Sequence, residues 1–128
     1  MSAWRRKAVE YLPEHREIID RARTPMAMWI ELHLRFEDAV AEGEQNMVKR
    51  FLRYAEWCMS EEAGRLPSET STAAACAFYE HLPQRREYWS FFRSWFSHKQ
   101  FTDLIPVFGY HLSPADVADL KKFFASGK

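Results

Sequence analysis

His33 and Glu37 stand four residues apart in the stretch "ELHLRFED". On an α-helix that spacing puts an imidazole and a carboxylate on the same face, one turn apart. Two such groups are half of a metal site or an acid–base pair. They are equally a structural His–Glu pair held between helices, provided that each finds a polar partner. No Glu-x-x-His pair and no His-Glu-x-x-His stretch accompanies them, which weighs toward the structural pair.

Three further groups of residues have types suited to chemistry. Trp57 follows Arg53 by one turn and lies near Arg50, so a cation–π contact with Arg53 is geometrically easy. An exposed tryptophan flanked by arginines is the composition of an interface anchor. A covering N-terminal helix is the structural alternative. Glu80-His81, in "FYEHLPQRREYWSFFRSWF", sits where a helix must end before Pro83, and a histidine there meets the last carbonyls and the negative end of the dipole. Glu56, Glu80 and His81 are the groups that would complete a site around His33 and Glu37. The basic pairs of Trp4–Lys7 and Arg85-Arg86 could in principle meet phosphates. His15, His98 and His111 are isolated in sequence.

The elements that must position these groups follow from periodicity and punctuation. Apolar residues recur at intervals of three and four, and strand-like alternation is nearly absent, so the fold class is all-α. Thr24-Pro25 opens a helix that Gly43 stops, and a second runs from about Glu44 to Ser60; so short a connection makes them an antiparallel hairpin. The Ser/Thr-rich stretch near Ser68 caps a helix over Thr70–Leu82, and Pro83 separates it from another over Gln84–Phe96. Ser97 with Gln100 makes a capping-box pattern for a helix ended by Pro106 and Gly109, and Ser113-Pro114 opens the last, to about Ala125. One or two more occupy Ala3–Leu12 and Glu14–Ala22. The architecture expected is a compact bundle of six to seven helices built from antiparallel hairpins.

In that frame the helix over Pro25–Glu42 carries an apolar arc of about 240°, Ile30 and Leu34 included, and is predicted to be central. Met47, Val48, Phe51, Leu52, Tyr54, Ala55, Cys58 and Met59 mark the buried side of the next helix, with Trp57 on the other side. The run "TAAACA" is small all round and predicts a helix sandwiched on several sides. The six aromatics of Tyr88–Phe96 fall within about 160°, opposite Arg86 and Arg93, which separates stacking surface from cations and favours core over a nucleic-acid platform.

Length and composition bound the function. At 128 residues, with 47% hydrophobic and 16% aromatic, the chain fits one domain spanning residues 1–128. Eighteen basic residues balance eighteen acidic ones, so no net field gathers a polyanion or an anionic membrane, and nucleic acid is disfavoured. No apolar run approaches the roughly 20 residues of a membrane span. The start "MSAWRRKAVEYLPEH" does not read as a secretory signal. Cys58 and Cys76 lie in helical apolar patterns and read as buried free thiols. These features predict a cytoplasmic protein with no cofactor and no metal ligand set.

The stretches "STAAACAFYEHLP" and "FTDLIPVFGYHLSPADVADL" resemble small all-helical bacterial proteins of unknown function, in which an alanine-rich helix ends in a Phe-Tyr/Leu-Glu-His/Asn-Leu run. The similarity covers roughly Trp29–Phe124 and implies an all-helical bacterial domain without implying an activity. The leading functional expectation is therefore a small binding protein with a protein partner, working through Trp57, Arg53 and Arg50. The alternative is a metal-dependent or acid–base enzyme built around His33 and Glu37.

Overall fold

The computed structural model describes residues 1–126, and every regular element among them is helical. Eight α-helices follow one another: α1 (Ala3–Tyr11), α2 (Arg16–Arg21), α3 (Pro25–Ala41), α4 (Gln45–Cys58), α5 (Glu69–Ala77), α6 (Phe92–Trp95), α7 (His98–Phe108) and α8 (Pro114–Ser126). Short 3₁₀ segments join several of them. The chain divides into two compact units, Met1–Phe78 and Tyr79–Lys128.

In the first unit, Thr24 caps α3 by accepting from the Ala27 amide, and Pro25 takes the first helical position, where no amide partner is needed. The other end is closed by a Schellman motif. Gly43 adopts φ +71°, its amide donates to the Val40 carbonyl, and the Glu44 amide donates to Ala39. That turn sends α4 back against α3. The helix α5, capped reciprocally by Ser68 and Ser71, lays Ala73, Ala74 and Ala77 into the core. Its small side chains let it lie close to α3, which also packs against α2 and α4. Trp29 stacks on Tyr54 (5.4 Å) and meets Phe78 (4.8 Å), while Phe36 meets Phe51 and Phe78 edge-on. The helix α1 closes this unit over α4, where the Tyr54 hydroxyl donates to the Trp4 carbonyl at 2.8 Å.

Two expected helices are broken differently. Thr70–Leu82 ends as an α-helix at Ala77 and tightens into a 3₁₀ segment over Tyr79–Gln84 that contains Pro83. Proline has no amide to donate and disfavours α geometry in the residue before it, so the helix ends upstream. Gln84–Phe96 is a 3₁₀ segment over Arg86–Phe91 followed by the single turn α6. Here the Trp89 indole N–H donates to the Pro83 carbonyl at 2.8 Å, an anchor that a continuous α-helix would displace. Pro106, expected as a terminator, lies inside α7. It removes one bond in the last turn, and the carbonyl left over belongs to Thr102, which is exposed.

The second unit has its own aromatic core. Phe101 and Phe124 stack at 3.9 Å, and Phe92, Phe96 and Phe108 pack around them with Tyr79 at the margin. Four of the six aromatics grouped by periodicity, Tyr88, Trp89, Phe92 and Phe96, are buried; Phe91 is exposed. Among the described residues no helix is long and apolar enough to cross a membrane.

Candidate functional site

Trp57 is core. Its ring is 8% exposed and stacks at 6.0 Å, nearly parallel, on Tyr54. The helix α1 packs on α4, and it is this covering that overturns the exposed interface anchor expected from sequence. The indole N–H of Trp57 is buried with no acceptor, a cost borne by the packing around it. The two arginines part company. Arg50 reaches away to Glu14, forming a forked pair with both contacts at 2.7 Å, and also donates to the Tyr11 carbonyl. That hydrogen bond holds the Glu14 carboxyl down to about 2. Arg53 is exposed, and the guanidinium–ring contacts among the described residues belong to Arg5, Arg85, Arg86 and Arg93 instead. Arg50 thus binds α4 to the turn after α1.

His33 and Glu37 do face each other on α3. Their Nε2 and Oε2 atoms are 3.6 Å apart, an ion-pair distance longer than a hydrogen bond, with the side chains 14% and 20% exposed. Phe78 meets the imidazole edge-on at 5.9 Å, and Phe36 lies at 6.5 Å. Glu56 is exposed on α4. Glu80 and His81 lie in the second unit, where they make a different cluster. The buried Glu80 carboxylate meets His111 Nε2 at 3.0 Å, the His81 and His111 rings stack at 5.5 Å, and His81 Nδ1 is 3.1 Å from Gln84 Oε1. His111 stands isolated in the sequence; thirty-one positions separate it from Glu80, and the turn after α7 brings them together. No group of three or more His, Cys, Asp or Glu side chains among the described residues is arranged to hold a metal ion.

Two arginines of the basic stretches are held within the fold. Arg5 donates to the carbonyls of Ile19, Asp20 and Ala22, closing the C-terminal end of α2. Arg86 lies over the Trp89 ring at 4.3 Å and bonds Asp116 at 2.8 Å. It borders an open depression of about 460 Å³ with Trp89, Asp119, Lys122 and Phe123. His15 is packed against Phe51, and burial pushes its pKa down. The two thiols also differ. Cys58 is buried and its thiol is pushed up to about 12 by burial, against the opposing pull of the Trp29 indole and Tyr54. Cys76 is exposed, as is Thr72 one turn earlier, so α5 is open to solvent on one side and not sandwiched all round.

On α3 the exposed face differs from the one that its apolar arc predicts. Met28, Trp29, Leu32, Phe36 and Ala39 are buried as expected, yet Ile30 is 56% exposed and Leu34 50%. They stand one turn apart, with exposed Ala27 beside Ile30. Three helices pack on α3, and none of them covers this strip. The signal was the width of the apolar arc, which exceeds the stripe of roughly 100° that a surface helix ordinarily buries.

Comparison with protein-family models, with curated proteins and with solved structures finds no match to this chain.

Proposed function

We propose that the protein acts by binding a protein partner across the open strip of α3, with Ile30 and Leu34 as the apolar anchors. The observation that carries this reading is their half exposure on a helix whose other face buries Met28, Trp29, Leu32 and Phe36 against its neighbours. Solvating two large aliphatic side chains in adjacent turns forgoes roughly 1 kcal/mol or more apiece that burial would recover. A partner's side chains recover it. A lipid surface fits less well, because the carboxylates of Glu31, Glu37, Asp38 and Glu42 along the strip outnumber the Arg21 and Arg35 guanidiniums paired to two of them, and anionic headgroups would be repelled.

The test pairs stability with association. Leu34→Glu leaves the thermal transition within a few degrees of wild type and abolishes binding to a partner identified by crosslinking through this strip. A crosslinked partner that still binds Leu34→Glu and Ile30→Glu at full affinity would contradict the reading.

A second reading, an acid–base enzyme, is favoured by one observation, the Glu80–His111 contact. A buried carboxylate 3.0 Å from the imidazole Nε2 orients the ring, as the carboxylate partner of a general base does. His111 is partly exposed, so a substrate could reach it. If that dyad performs chemistry, Glu80→Gln lowers kcat on its substrate by at least about tenfold while the fold persists.

A further inference from the structure

The strip on α3 does not end at Leu34. Ile30, Leu34, Asp38 and Glu42 follow one another at intervals of four, which places them along a single ridge of the helix surface. The ridge runs about 18 Å, at 1.5 Å per residue, with an aliphatic half and an acidic half. The acidic half is crowded. Asp38 is held by Arg35 at 2.9 Å, but neither Glu42 nor Glu44 has a cation within ion-pair distance among the described residues. Contact with Glu44, and then its charge, raises the pKa of Glu42. The C-terminal end of α3 adds the negative pole of its dipole at the same place. Negative charge is therefore concentrated at one end of the strip with too few counter-charges of its own.

Building on the partner-binding reading above, we infer that the occupant of this ridge is an amphipathic helix of another protein, carrying apolar side chains one turn apart followed along the same face by lysine or arginine. The apolar pair packs on Ile30 and Leu34 in ridge-and-groove fashion, and the basic pair sits over Asp38, Glu42 and Glu44. The charge serves register and encounter rate more than affinity: it selects the one alignment in which basic residues reach the acidic end. An acidic helix would press like charges together, and a purely apolar one would slide.

The experiment is a methyl-NMR titration of the full chain with two synthetic alanine-based helices. Each has two leucines one turn apart, followed at the same interval by two lysines in one peptide and two glutamates in the other. The lysine peptide is expected to shift the Ile30 and Leu34 methyl signals and to bind at least about tenfold tighter than the glutamate peptide at low salt. The gap closes at high salt, and Glu42→Gln/Glu44→Gln removes most of it. Equal affinity of the two peptides, with the same methyls shifting, overturns the basic-helix inference while leaving partner binding at α3 intact. Failure of both peptides to shift these methyls at millimolar concentration overturns both. Concentration-dependent shifts of the same methyls without peptide would assign the strip to a second copy of this chain, and shifts with phosphatidylglycerol vesicles alone would assign it to lipid; either result overturns the inference.

Discussion

Trp57 shows how burial decides what one residue does. Because its ring is stacked on Tyr54 and covered, Trp57→Ala removes core volume and is expected to cost about 3 kcal/mol or more, read as a lower midpoint in urea unfolding. A loss below about 1 kcal/mol would mean the ring is dispensable to the core. The Arg50–Glu14 fork gives a second expectation, with a definite sign. The folded Glu14 carboxyl is lowered to about 2 from 4.5, so its stabilisation is present above pH 4.5 and fades as pH falls toward 2. Glu14 is half exposed, and solvent screening limits the effect to about 1 kcal/mol. Urea unfolding of Glu14→Gln is therefore expected to match wild type at pH 2 and fall behind it above pH 4.5. An equal deficit at both would contradict the pairing. His33 and Glu37 were legible as neighbours from their spacing alone, because i to i+4 is a local relation. Glu80 and His111 were not, since their meeting depends on how α7 and the segment before it pack.

At the scale of elements, punctuation was the readable part. Thr24, Ser97 with Gln100, and Ser113 each cap the helix they were expected to open, because a side-chain oxygen meeting an amide three residues on is encoded in a handful of adjacent residues. Gly43 ends α3 as expected, and the reason yields a prediction. Its φ of +71° is disfavoured for any side chain, while a Cβ there would touch nothing within 4 Å. Gly43→Ala is then expected to cost about 1 kcal/mol of conformational strain alone, with the α3–α4 hairpin intact by circular dichroism. A collapse of helicity would show that the turn does more than reverse the chain. The 3₁₀ segments over Tyr79–Gln84 and Arg86–Phe91 escaped sequence reading, because aromatic periodicity alone does not separate a tight helix from an α-helix when a proline lies between. Glu42, at the end of α3, has a raised pKa from its contact with Glu44, so repulsion grows as pH rises through the carboxylate range. Glu42→Gln is accordingly expected to raise the melting temperature at neutral pH and to leave it unchanged at acid pH.

For the whole molecule, balanced charge and two aromatic cores set the behaviour. Eighteen basic residues are matched by eighteen acidic ones, and two of the arginines in the stretches that could meet phosphates, Arg5 and Arg86, are engaged with carbonyls and a carboxylate. Association with DNA is expected to be weak and to vanish at physiological salt. Sub-micromolar affinity there, in a mobility-shift titration, would overturn that expectation. The all-α class was legible because periods of three and four recur along the chain, a property of each segment by itself. Which face of a helix stays open is a property of the assembled fold, and α3 is where that distinction matters. Leu32 is fully buried and Leu34, two positions on, is half exposed. Urea unfolding of Leu32→Ala beside Leu34→Ala is the most direct measurement of whether α3 divides into a core side and a free binding side. The predicted result is a loss of about 2–5 kcal/mol for Leu32→Ala and no more than about 0.5 kcal/mol for Leu34→Ala. Comparable losses at the two positions would contradict it, because Leu34 would then be core and α3 would have no open side to offer a partner.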